Sequence, residues 1–194
     1  TTVMGVYNDP NTQVLDVKYL EYNGREYIIQ QNQLIDPGNS DPNIGEWSDP
    51  AQVSVTLIDV TDKTNPTWID SWYDVDHPTG PHNLYTHMID GEWYMFIANP
   101  DYDNCNDAIG EACGGVTIAH LNLVGSAANN IIGVPGVGSG HTIVKVGEYE
   151  VAWETTMGGW IYIHDMTVQT WPGEDSNDPR FGRTFVYGLS LIHI

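Results

Sequence analysis

The sequence predicts an all-β fold, a β-propeller-like array of antiparallel blades with about three units plus an incomplete fourth. Three observations carry this. First, a glycine between two apolar runs recurs four times: Gly24-Arg25-Glu26-Tyr27-Ile28-Ile29, Gly91-Glu92-Trp93-Tyr94-Met95-Phe96, Gly147-Glu148-Tyr149-Glu150-Val151-Ala152 and Gly182-Arg183-Thr184-Phe185-Val186-Tyr187. Second, the first two glycines follow Asn23 and Asp90, as a type I′ hairpin turn requires when both central residues take φ > 0. Third, helical periodicity is nearly absent. β-Branched and aromatic residues alternate with polar ones between Gly, Pro, Asn and Asp, the pattern of strands joined by turns. Residues 122–130 alone tolerate a helix, and Gly125 weakens it.

The elements follow in order. A first unit, about 14–75, opens with a hairpin of Val14–Tyr22 and Glu26–Gln31. Leu34–Pro50 carries Pro37, Pro42 and Pro50 among many turn formers and reads as a surface loop. Strand Val53–Val60, a turn over Thr61–Pro66 and strand Thr67–Tyr73 complete the unit. A second unit, about 81–136, starts at Pro81-His82-Asn83 and contains the strand Tyr94–Ala98. It then inserts the polar loop Asn99–Cys113 and resumes with Gly115–Leu121. A compact third unit, about 141–166, comprises His141–Val146, Glu148–Trp153 and Trp160–Asp165. The fourth, about 167–194, holds Thr167–Trp171, a polar loop and Arg183–Tyr187. Successive turn glycines are 67, 56 and 35 residues apart, so the unit is decorated by insertions rather than strictly repeated. Propellers close with roughly 4–8 blades of four strands. The unit count therefore implies a piece of a longer chain, or strands supplied by a neighbour.

Composition bounds the function. The length of 194 residues suits one domain. Asp and Glu number 26 against 6 Lys and Arg, a formal net charge of −20. Nucleic-acid binding and anionic membrane surfaces are disfavoured, because both need clustered cations on the protein. Such a surface suits a cation-rich medium, or serves solubility. No apolar run approaches the roughly 20 residues of a membrane helix, and the opening Thr1-Thr2-Val3-Met4 reads as a mature or truncated end. Cys105 and Cys113 share one polar loop, which favours a local disulfide and an oxidising compartment over zinc; two free thiols are the alternative.

One segment resembles a known family. Val55-Thr56-Leu57-Ile58-Asp59-Val60-Thr61-Asp62-Lys63-Thr64-Asn65-Pro66 is similar to the LVIVD-type repeat of bacterial and archaeal surface β-propellers. There a strand ending in Asp-Val-Ser/Thr-Asp leads through Asn-Pro to the next strand. The local physics agrees, since Asp62 and Asn65 can bond nearby backbone and Pro66 pre-sets φ. Later units depart from it. His120 and His164 stand where the first unit has Asp59, and no Asn-Pro follows either. The resemblance implies an extracellular or cell-surface propeller and leaves activity open. The last six residues, Leu189 to Ile194, read either as a strand or as translated adapter read-through, in which case the natural sequence departs after Gly188.

Several residues are candidates for chemistry. His82, His87, His120, His141 and His164 lie in or beside strands. If equivalent positions converge near a central channel, His82, His141 and His164 could hold a transition metal, an arrangement that resembles propeller enzymes of the selenium-binding-protein and carotenoid-oxygenase types. No His-Glu-x-x-His motif supports this, and strand histidines also serve as hydrogen-bonded structural residues. Asp101, Asp103 and Asp107 offer oxygen ligands for Ca²⁺, although Asn106 and Ala112 stand where an EF-hand needs Gly and Glu. A solvated acidic loop is the other reading. Weaker sets are Asp70, Asp74 and Asp76, and Glu174, Asp175 and Asp178. No Gly-x-Ser-x-Gly elbow is present, and Gly136-Val137-Gly138-Ser139-Gly140 lacks the ending of a phosphate loop. Acids are numerous enough for accidental glycosidase-like pairs. Trp47 and Trp171 are candidate sugar- or protein-contact platforms against a background of packing aromatics.

The expectation is a non-enzymatic extracellular module, stabilised by Ca²⁺ and a disulfide. Its partners would be protein or carbohydrate at the cell surface, or further copies in a filament, with no nucleic acid and no membrane insertion. A metal-dependent propeller oxidoreductase or hydrolase is the alternative.

Overall fold

The computed structural model describes residues 3–5, 14–32, 55–72, 81–100, 114–123, 143–150, 161–173 and 175–192. The described residues are all-β. A first four-stranded sheet contains β1 (Val14–Tyr22), β2 (Arg25–Asn32), β3 (Val55–Asp59) and β4 (Thr67–Trp72), paired in chain order. A second has β5 (Asn83–Ile89), β6 (Glu92–Pro100), β7 (Gly114–Leu121) and β8 (Ile143–Glu150), again in chain order. A hairpin of β9 (Ile161–Thr170) and β10 (Thr184–Ile192) forms the third sheet. Every pairing is antiparallel. The sheets are open, and they do not by themselves make a closed propeller.

Turn chemistry sets the register. Tyr22 pairs with Arg25 and Ile89 with Glu92, which leaves two-residue turns whose central residues all have positive φ: Asn23 50°, Gly24 74°, Asp90 52° and Gly91 85°. These are the type I′ turns that the Asn-Gly and Asp-Gly pairs predict. The β3–β4 turn is equally local. Asp62 Oδ1 accepts from Thr64 N at 2.9 Å and Thr64 Oγ1 at 2.6 Å, and Asn65 N donates to Asp62 O at 3.0 Å, an Asx-type turn.

The third glycine behaves differently. Gly147 is no turn: it lies inside the continuous strand β8, opposite Ile118, where the register slips so that Val146 is left over as a bulge. A bulge in place of a hairpin keeps β8 in the second sheet. Trp160–Asp165 and Thr167–Trp171, expected as separate strands, are largely one strand, β9, paired with β10. Strands read as the third unit are thus shared between the second sheet and the hairpin.

These turns make a discriminating prediction. Gly24→Ala and Gly91→Ala should each cost about 1 kcal/mol, because a Cβ at such φ is strained although nothing lies within 4 Å of it. Gly147→Ala, without a positive φ and with Ile118 Cδ1 no closer than 4.0 Å, should change stability by less than about 0.5 kcal/mol. Denaturant midpoints check this; an equal loss at all three would restore the turn at Gly147.

The sheets stack. Leu20, Tyr27, Ile29, Val55 and Leu57 of the first sheet pack on Leu84, Met95, Ile97, Ala119 and Leu121 of the second. On the opposite face of the second sheet, Phe96, Ala98 and Val116 pack on Ile163, Met166 and Val168 of β9. The second sheet is therefore covered on both faces, which is why Met95-Phe96-Ile97-Ala98 on β6 is an unbroken buried run rather than an alternating one. Polar ties close both edges of the first interface: Leu84 N donates to Asp16 Oδ2 at 3.3 Å, and Ile143 N to Asp70 Oδ2 at 3.2 Å.

Candidate functional site

The residue after each two-residue turn begins the second strand of its sheet and reaches to the end of the third. In the first sheet Arg25 Nε donates to Asp59 Oδ2 at 2.9 Å, and Arg25 Nη2 donates to the same oxygen. Thr61 N donates to Asp59 Oδ1 at 2.8 Å. Burial pushes the Asp59 carboxyl upward, but the Arg25 hydrogen bonds and the Thr61 amide outweigh it and hold the group below the usual carboxylate range. The same contact with Asp59 raises Arg25.

The second sheet repeats this geometry with an acidic residue in the place of the arginine. Glu92 occupies the place of Arg25, and His120, opposite Tyr94 as Asp59 is opposite Tyr27, has Nε2 3.4 Å from Glu92 Oε2. His120 also tilts against Tyr94, ring centroids 5.1 Å apart. His87 flanks Tyr94 on the other side. Strand pairing thus sets His87, Tyr94 and His120 in one row across the face that meets the hairpin. His87 Nε2 lies 3.0 Å from Thr170 Oγ1, which is 2.9 Å from Thr184 Oγ1. A histidine beside a hydroxyl is the minimal layout of a base and a nucleophile. Here Thr170 is shared with Thr184 and bridges two layers, so the chain of hydroxyls works as a latch between sheets.

The sequence-selected residues fare unevenly. His82 precedes β5 and its backbone N donates to Ala98 O at 2.8 Å. His164 lies on β9 at the register slip between Ile163 and Asp165. His141 lies outside the described residues. Asp101, Asp103, Asp107, Cys105 and Cys113, with Asp74, Asp76, Glu174 and Trp47, lie outside the described residues too. Asp70 is engaged by Ser71 N and Ile143 N. Asp178 is held by Arg180, which brings its carboxyl down to about 2. Arg180 in turn lies 4.0 Å over the ring of Trp171, so that ring face is covered from within. Among the described residues no three His, Cys, Asp or Glu side chains are grouped as metal ligands.

Sequence reasoning missed two features. One is the clasp between the post-turn residue and the third strand, signalled by the equivalence of Asp59 and His120. The other is a pair of fully buried amides on β2, where Gln31 Nε2 donates to Pro81 O while Gln31 Oε1 and Asn32 Nδ2 have no partner among the described residues; composition carries no signal for it. The chain matches no protein-family model, no curated protein and no solved structure.

Proposed function

We propose that this chain is a structural or interaction module of the extracellular β-propeller kind, built to stack and to be bound rather than to catalyse. The observation that carries this reading is the repeated stacking of antiparallel meanders. Each four-stranded sheet starts from a glycine hairpin, ties its second strand to its third by a charged or hydrogen-bonded clasp, and covers the next sheet face to face. Equivalent parts spent on cohesion suit a scaffold. The LVIVD-like segment supports a cell-surface setting in this reading; its Asp59 pairs with Arg25 and its Asp62 holds the β3–β4 turn. In this reading Asp101, Asp103 and Asp107 bind Ca²⁺, Cys105 and Cys113 form a disulfide, and the partners are proteins or carbohydrates at the surface or further copies of the chain.

Elemental analysis of purified protein tests the reading. Calcium without a transition metal is expected, together with a thermal midpoint that rises with added calcium. Stoichiometric copper, iron or zinc would overturn it in favour of a metal-dependent enzyme using His82, His141 and His164.

A further inference from the structure

The third sheet repeats the first half of the other two. Gly182-Arg183-Thr184-Phe185 on the approach to β10 matches Gly24-Arg25-Glu26-Tyr27 entering β2 and Gly91-Glu92-Trp93-Tyr94 entering β6. The match is geometric as well. Arg183 O accepts from Trp171 N at 2.8 Å, which continues the β9–β10 ladder one step past Thr184–Thr170 and sets Arg183 where Arg25 and Glu92 stand. Val186 packs toward the second sheet, so Arg183, Phe185 and Tyr187 share the opposite face, as Tyr94 faces away from the first sheet. Gly182 has φ +66°. β9 thus corresponds to β1 and β5, and β10 to β2 and β6.

In both complete sheets the far edge of that second strand carries a third antiparallel strand. A residue at the end of that strand or next to it lies opposite the aromatic and meets the post-turn side chain with a complementary group, Asp59 for Arg25 and His120 for Glu92. Among the described residues β10 pairs only with β9. Arg183 is exposed, and Tyr187 is 48 % exposed on the same face. We propose that the free edge of β10 receives an antiparallel strand from a partner chain, a segment of alternating apolar residues that ends in a carboxylate opposite Phe185 and paired with Arg183. Backbone pairing at a strand edge supplies affinity in such complexes, and side-chain pairs supply register. The proposal rests on the stacked-repeat reading, but a metal found by elemental analysis would leave it untouched.

The probe is a synthetic peptide with the sequence of residues 55–62, which contains the natural third strand of the first sheet, Val55–Asp59, with Asp59 at the end of that strand. Amide exchange is followed over residues 184–188 of the whole chain, at the alternate amides that do not point to β9. Protection is expected on adding the peptide. It should weaken at least about tenfold in peptide concentration when the peptide carries Asp59→Lys, as for a lost charge pair in a strand interface. The chain variant Arg183→Glu should reverse the preference, binding the lysine peptide better than the aspartate one. Equal protection by both peptides would overturn the carboxylate pairing. Absence of peptide-dependent protection at millimolar peptide would overturn the docking edge. Strong protection of this stretch before any peptide is added would show that the chain fills the edge itself, and would overturn the partner.

Discussion

Replacing Ile97 with alanine is expected to cost about 3 kcal/mol, near the middle of the range for a large aliphatic residue cut back in a packed core. Ile97 is fully buried and central: it lies on β6 between Leu84 on β5 and Thr117 on β7, facing the first sheet. Neither neighbour can slide in to fill the gap, because the other face of the same sheet is already packed against β9. For a chain of this length the loss corresponds to a fall in thermal midpoint of about 6–12 °C. Val17→Ala is the control. Val17 is 51 % exposed on the outer face of β1, and its truncation should stay within about 0.5 kcal/mol. Comparable losses for the two variants would mean that the second sheet is not sandwiched.

That sandwich was partly legible in the sequence. Asn23-Gly24 and Asp90-Gly91 announce hairpins because few other dipeptides tolerate two successive positive φ values. The apolar run on β6 announces a strand covered on both sides. Gly147 misleads for a physical reason: a bulge and a turn both interrupt an alternating pattern with a small residue, and Val146 before it offers no turn chemistry to tell them apart. The clasps were less legible still. Asp59 and His120 are recognisable as equivalents along the chain, but their partners lie 34 and 28 residues away, and only strand register brings them together. Register likewise decides which histidines meet. His87 and His120 share a row because both pair with Tyr94.

The clasp in the first sheet can be tested by charge. Arg25→Ala should cost about 2–3 kcal/mol at neutral pH, somewhat below the usual range for breaking a buried pair because the arginine side chain is 41 % exposed. Asp59 is the buried partner, at 5 %, so it suffers when left with Thr61 and no cation. Asp59→Ala should cost less, about 1–2 kcal/mol, since the orphaned guanidinium can turn to water. The double variant should fall short of the sum of the two. pH separates this account from simple loss of packing. In the wild type the Asp59 carboxyl is held below its unfolded value, so its contribution is present above the ordinary carboxylate range and is lost as pH falls through the lowered folded value. In Arg25→Ala the principal opposing cation is gone and burial raises the carboxyl instead, so protonation then favours the folded form and stability is regained as pH falls. The two curves must therefore converge in acid. Denaturation of both proteins at pH 7 and near pH 3 measures the gap, and a gap of equal size at the two pH values would show that Arg25 stabilises the sheet through the packing of its stem rather than by neutralising Asp59.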